Sequence, residues 1–134
     1  MKKLTEALHA YYENPGDTTR LKLLVATVDA NEEGESVYLV ANPNGRIKIK
    51  RNGNDGKYLP IYTAEDDIPF GTLTKKVELH SLLKRLYADG TYKGLMLQKR
   101  NEKDPAVVLL KDIGTFYDLC EMMNRLGSKK KVVQ

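Results

Sequence analysis

The chain has 134 residues, 41% of them hydrophobic and 30% charged, which excludes a disordered or fibrous chain and fits one globular domain that buries about two thirds of its unfolded surface. Its net charge of +4, from 22 basic and 18 acidic residues, is too mild an excess to demand an anionic partner. No apolar run approaches the ~20 residues that span a bilayer, and MKKLTEALHAYY has neither an uninterrupted apolar core nor a small-residue cleavage site, so no membrane partner, no leader and a cytoplasmic location are expected.

Leu4, Ala7, Leu8, Tyr11 and Tyr12 recur at the spacing of one helix face. Asn14-Pro15-Gly16 ends that helix by interrupting both propensity and hydrogen bonding. Asp17 is placed to cap a second segment in which Leu21, Leu24, Val25 and Val28 repeat the pattern. A helix is favoured over residues 17–29, although the β-branched Val25, Thr27 and Val28 also suit a strand. The polar stretch DANEEGES (29–36) then separates this segment from three short strand candidates, VYLVA (37–41), RIKIKR (46–51) and KYLPIY (57–62). Their connections, NPNG and NGNDG, favour tight turns, so the three read as an antiparallel meander. Alternation in the middle strand sends Ile47 and Ile49 to a dry face, and Arg46, Lys48 and Lys50 to a wet one.

Further on, Val77, Leu79, Leu82, Leu83 and Leu86 mark a helix that stops near Gly90, where glycine closes it in the left-handed conformation. GLMLQ (94–98) and AVVLL (106–110) supply two more strands. A last helix carries Phe116, Leu119, Cys120, Met123 and Leu126 on one stripe and ends at Gly127, leaving 128–134 as a basic flexible tail. The expected architecture is a single α+β domain over residues 1–127, with a mainly antiparallel sheet of about five strands and helices packed chiefly on one face.

The stretch that most resembles chemistry is YLPIYTAEDDIPFG (58–71). Thr63 followed three residues later by Asp66 matches a capping box, and Glu65, Asp66 and Asp67 suit the first turn of a short helix. As metal ligands or an acid/base pair, these acids would need to converge, whereas adjacent helical residues point about 100° apart. NGNDG fails as a calcium loop, because Arg51 would take its first place and Tyr62 its twelfth. His80 and Ser81 are neighbours on a helix and do not face each other. His9 lies on an amphipathic helix, and Cys120 reads as a small buried hydrophobe that, as the single cysteine, cannot form an internal disulfide. Zinc spacings, phosphate loops and the serine elbow are lacking, so neither a cofactor, a metal nor an enzyme is expected.

Strand, proline, aromatic, Thr and small acidic helix, here Leu59, Pro60, Ile61, Tyr62, Thr63, Glu65, Asp66 and Ile68, resemble the corner of the amino-terminal domain of the SseB family. The order of elements from about Leu4 to Gly127 is similar as well, with Tyr62 where the family usually has phenylalanine and Gln98-Lys99 where it commonly has Asn-Pro. The resemblance implies a small bacterial interaction or regulatory module and brings no catalytic residues with it.

The expected function is therefore noncatalytic protein binding to a partner of unknown identity. Tyr58, Pro60, Tyr62 and Thr63 are the candidate interaction edge, since proline in a strand points to a sheet edge open to an added strand. One alternative is weak nucleic-acid binding by the anion-binding candidates Arg46, Lys48 and Lys50; a second is an enzyme with an acidic site at residues 65–67. Homo-oligomerisation is left open.

Overall fold

The structure is a computed structural model; it describes residues 2–51 and 56–133, without the side chains of Cys120 and residues 124–133. Asn14-Pro15-Gly16 divides α1 (Lys3–Glu13) from α2 (Asp17–Glu32). In α1 the expected face is the buried one: Leu4 and Leu8 enter the core, and Ala7, Tyr11 and Tyr12 pack beside them. Residues 17–29 are helical throughout, so the strand alternative falls away. Asp17 stands in the first turn, where its charge complements the free amides, but it makes no side-chain cap; the capping position is Gly16. The buried side of α2 is also rotated from the expected stripe. Val28 of that stripe is buried and Leu24 packs against the core, but Leu23, Ala26, Thr27 and Ala30 are buried as well while Leu21 is exposed. Small alanines let a neighbouring helix approach closely, and the Thr27 hydroxyl donates to the Leu23 carbonyl at 2.8 Å, so its burial leaves no orphan donor.

Six strands form one sheet among the described residues: β1 (Ser36–Val40), β2 (Lys50–Arg51), β3 (Lys57–Tyr62), β4 (Thr74–Glu78), β5 (Tyr92–Gln98) and β6 (Ala106–Leu109). The order is β4-β1-β3-β5-β6, and β2 also pairs with β3. Only β3 and β5 run parallel, so the sheet is mixed and mostly antiparallel. Little of the expected meander is present. β1 pairs directly with β3 through Tyr38–Tyr62 and Leu39–Ile61, and of residues 46–51 only Lys50 and Arg51 form a strand, with Ile47 bridging Ala41. The NPNG turn does form, with the Gly45 amide donating to the Asn42 carbonyl at 2.9 Å; residues 52–55 of NGNDG lie outside the described residues.

The helix expected to start at Val77 instead begins two residues later. Val77 belongs to β4, opposite Val37, and α3 (Leu79–Asp89) follows at once. β4 raises the strand number above the five expected; with Lys75 and Lys76 exposed, it is a charged edge that discourages further pairing. α3 ends as expected at Gly90, whose φ of 76° is left-handed and whose amide donates to the Leu86 carbonyl. The last helix, α4 (Leu110–Val133), starts directly after β6 and runs past Gly127, so residues 128–133 continue the helix where a tail was expected.

All four helices contribute to one hydrophobic cluster, into which the strands send Val37, Leu39, Leu59, Ile61, Leu95, Leu97 and Val108. Alternate strand residues face opposite ways, so the helices cover one face of the sheet, and Tyr38, Tyr58, Pro60, Tyr62 and Met96 line the other.

Candidate functional site

β3 is a central strand, and this corrects the expected interaction edge. β5 pairs along its whole length, including Pro60 with Met96. On the opposite flank β2 pairs with Lys57 and Tyr58, and β1 pairs with Ile61 and Tyr62. Leu59 and Pro60 fall between these two short strands, where a missing proline amide interrupts no ladder among the described residues. A central proline is thus accommodated by a gap in the neighbouring flank and does not mark an edge. Tyr58, Pro60, Tyr62 and Thr63 are all buried, and β3 has no free side for an added strand.

The corner after β3 is fastened by cross-links rather than by a capping box. Glu65–Asp67 form a single 3₁₀ turn whose capping position is Ala64, with no side-chain cap. Thr63 is buried and accepts a hydrogen bond from the Thr5 hydroxyl at 3.1 Å. Asp67, also buried, takes a hydrogen bond from His9 Nε2 at 2.9 Å, tying the turn to α1. Glu65 accepts from the Tyr38 hydroxyl at 3.1 Å, tying it to β1; burial, and then the Glu65 carboxylate, push the Tyr38 phenol above its ordinary value. The acids therefore diverge towards different partners, and Asp66 stays exposed. No group of three or more His, Cys, Asp or Glu side chains that could hold a metal ion occurs among the described residues. His80 is remote from this corner, its Nδ1 lying 3.2 Å from Asn31 Oδ1. The Cys120 side chain lies outside the described residues.

The basic candidates are not gathered on one regular strand face. Arg46 and Lys48 are exposed on an irregular segment, Lys50 is half-buried in β2, and Ile49 is exposed where a dry face was expected. Nearby, Lys57 Nζ sits 4.5 Å from the centre of the Tyr92 ring and 3.9 Å from Asp89, so this cation is already engaged within the protein.

A concavity of about 620 Å³ lies elsewhere, between the end of α2, α3 and the first turns of α4. Leu83 and Ile113 form its apolar floor, and Tyr87 and Tyr117 stand along it. Tyr87 is fixed by its hydroxyl, which donates to the Leu110 carbonyl at 2.6 Å and so joins α3 to α4. Burial raises the Tyr87 phenol above its usual value, and the nearby Asp118 charge adds to the shift. Around the rim are the exposed carboxylates Glu32, Glu78 and Asp118, with Lys84 as the one lysine in the lining.

α4 also departs from the expected packed stripe. Its first turns are anchored by Leu110 and Ile113, and Phe116 of the expected stripe packs beside the core, whereas Leu119, Met122 and Met123 are 47%, 54% and 63% exposed. At 100° per residue Leu119 and Met122 fall at least 120° around the helix from both Leu110 and Ile113, so they cannot share the same contact with the sheet. The sequence does carry this signal: apolar residues from Ile113 to Met123 occupy too much of the helix circumference for one buried stripe. The chain matches no family model and no curated protein.

Proposed function

We propose that this chain is a noncatalytic protein-interaction domain of the SseB-like type that binds its partner through the α3–α4 side. The observation that carries the reading is where apolar surface is left uncovered. Tyr87 and Tyr117 in the groove, with Leu119, Met122 and Met123 on the far side of α4 from it, make up half of the ten large hydrophobic side chains exposed among the described residues. Exposed apolar surface on and around one helix marks interaction sites, and methionine adapts readily to a partner's shape. The engagement of Glu65 and Asp67 in cross-links supports the same reading, because it gives the corner acids a structural use. The SseB-like corner at Leu59–Ile68 favours it too, since that resemblance implies interaction or regulation.

The test is affinity capture of the native protein from its own cells, with and without nuclease, beside a Met122→Lys/Met123→Lys variant whose folding is checked by circular dichroism. A protein partner that survives nuclease and is lost with the variant is the expected result. Retention that vanishes with nuclease, or that is indifferent to the variant, overturns the reading; the first of these would return attention to Arg46, Lys48 and Lys50.

A further inference from the structure

We infer that the α3–α4 groove is a docking site for a basic amphipathic helix of a partner protein. The inference rests on reading this side as an interaction surface, and it adds the chemistry of what the groove accepts. The protein as a whole carries a charge of +4, yet the groove presents three carboxylates, Glu32, Glu78 and Asp118, against Lys84 and the imidazole of His80. The local sign is thus opposite to that of the whole molecule. Nucleic acid and anionic lipid surfaces meet repulsion here, while a cationic segment meets attraction.

The groove's cross-section selects the form of that segment. Leu83 and Ile113 lie buried at the floor between two tyrosines, and the acids stand exposed around them. An apolar centre with a charged rim matches a helix that places apolar residues at i, i+3 or i+4 and i+7 and flanks them with lysine or arginine. Burying the stripe supplies affinity; the exposed ion pairs contribute little each but set orientation, partner choice and salt sensitivity.

Three labelled peptides of equal length test this. They share one apolar stripe and carry Lys/Arg, Glu/Asp or Ser/Gln at the polar positions, and binding is followed by fluorescence anisotropy at low and high salt. Two variants accompany the wild-type protein: Glu32→Lys/Asp118→Lys at the rim, and Glu13→Lys/Asp66→Lys as a charge-matched control on exposed acids outside the groove. The basic peptide is expected to bind saturably, to weaken as salt rises, to bind the rim variant at least about tenfold more weakly, and to bind the control as it binds wild type. Equal binding of the acidic or neutral peptide overturns the charge inference while leaving the interaction reading intact. Equal loss on both variants overturns the placement in the groove. If none of the peptides binds, the docking inference fails, and the capture experiment with the α4 variant judges the interaction reading separately.

Discussion

Thr5 and Thr63 show how polar side chains are used at the corner. Their hydroxyls meet inside the core, so each partly satisfies the other where water is absent. Replacing Thr63 with the near-isosteric valine leaves the Thr5 hydroxyl without this acceptor. Thr63→Val should lower stability by about 1–3 kcal/mol in urea unfolding, and the double variant Thr5→Val/Thr63→Val should lose less than the sum of the single losses. Additive losses would mean that the pair does not act as a unit. Tyr12 offers a second handle, this time through pH. Its hydroxyl is shared between the carbonyls of Leu97 and Asp104, and burial pushes the phenol up to about 12. An unfolded tyrosine releases its proton near pH 10, so between pH 10 and 12 the folded chain holds more protons than the unfolded one. The contribution of Tyr12 is therefore complete below about pH 10 and is lost as pH rises through 12. Tyr12→Phe should make the alkaline decline in stability shallower; part of it will persist, because burial also raises Tyr38, Tyr62, Tyr87 and Tyr92.

Among the elements, those with an unambiguous period were legible in the sequence. α1 and the end of α3 follow from spaced apolar residues and from a proline or glycine stop. Where two periods coexist, the reading went astray. Val77 lies two residues before Leu79, a spacing that serves the end of a strand as well as the start of a helix, and only pairing with Val37 decides between them. In α2 the buried side combines the large Leu23 and Val28 with the small Ala26 and Ala30, whose size admits close helix–helix approach, and leaves Leu21 outside. Arg46–Arg51 alternates as a strand should, yet only Lys50 and Arg51 pair with β3, against Tyr58 and Lys57, at the end that β1 leaves uncovered. Close backbone contact is likewise invisible in sequence. A Cβ at Gly94 would stand 2.5 Å from the Val108 carbonyl oxygen, so the β5–β6 ladder needs glycine there. Gly94→Ala should cost on the order of 1–3 kcal/mol in thermal or urea unfolding; a variant as stable as wild type would show that the two strands can separate freely.

At the scale of the molecule, the α+β class, the predominance of antiparallel pairing and the helices on one face were all legible, since they depend on the order and type of elements. The contacts of the acidic corner were not legible: hydrogen bonds from His9 and Tyr38 reach across 58 and 27 residues of chain. The α3–α4 groove left no local trace for a similar reason. It is assembled from residues 31–34, 78–87 and 113–118, which no motif joins and which only the fold brings together. No helix among the described residues is long and apolar enough to cross a membrane. The fold leaves its acidic concavity and its uncovered apolar row on the two sides of one helix. The most direct measurement is backbone amide NMR of the isotope-labelled protein during titration with the basic amphipathic peptide. Shifts concentrated at the end of α2, along α3 and in the first turns of α4, including Glu32, Lys84 and Asp118, are the predicted result. Shifts centred on Arg46–Arg51 or on the Thr63–Asp67 corner, or no shifts at saturating peptide, would contradict it.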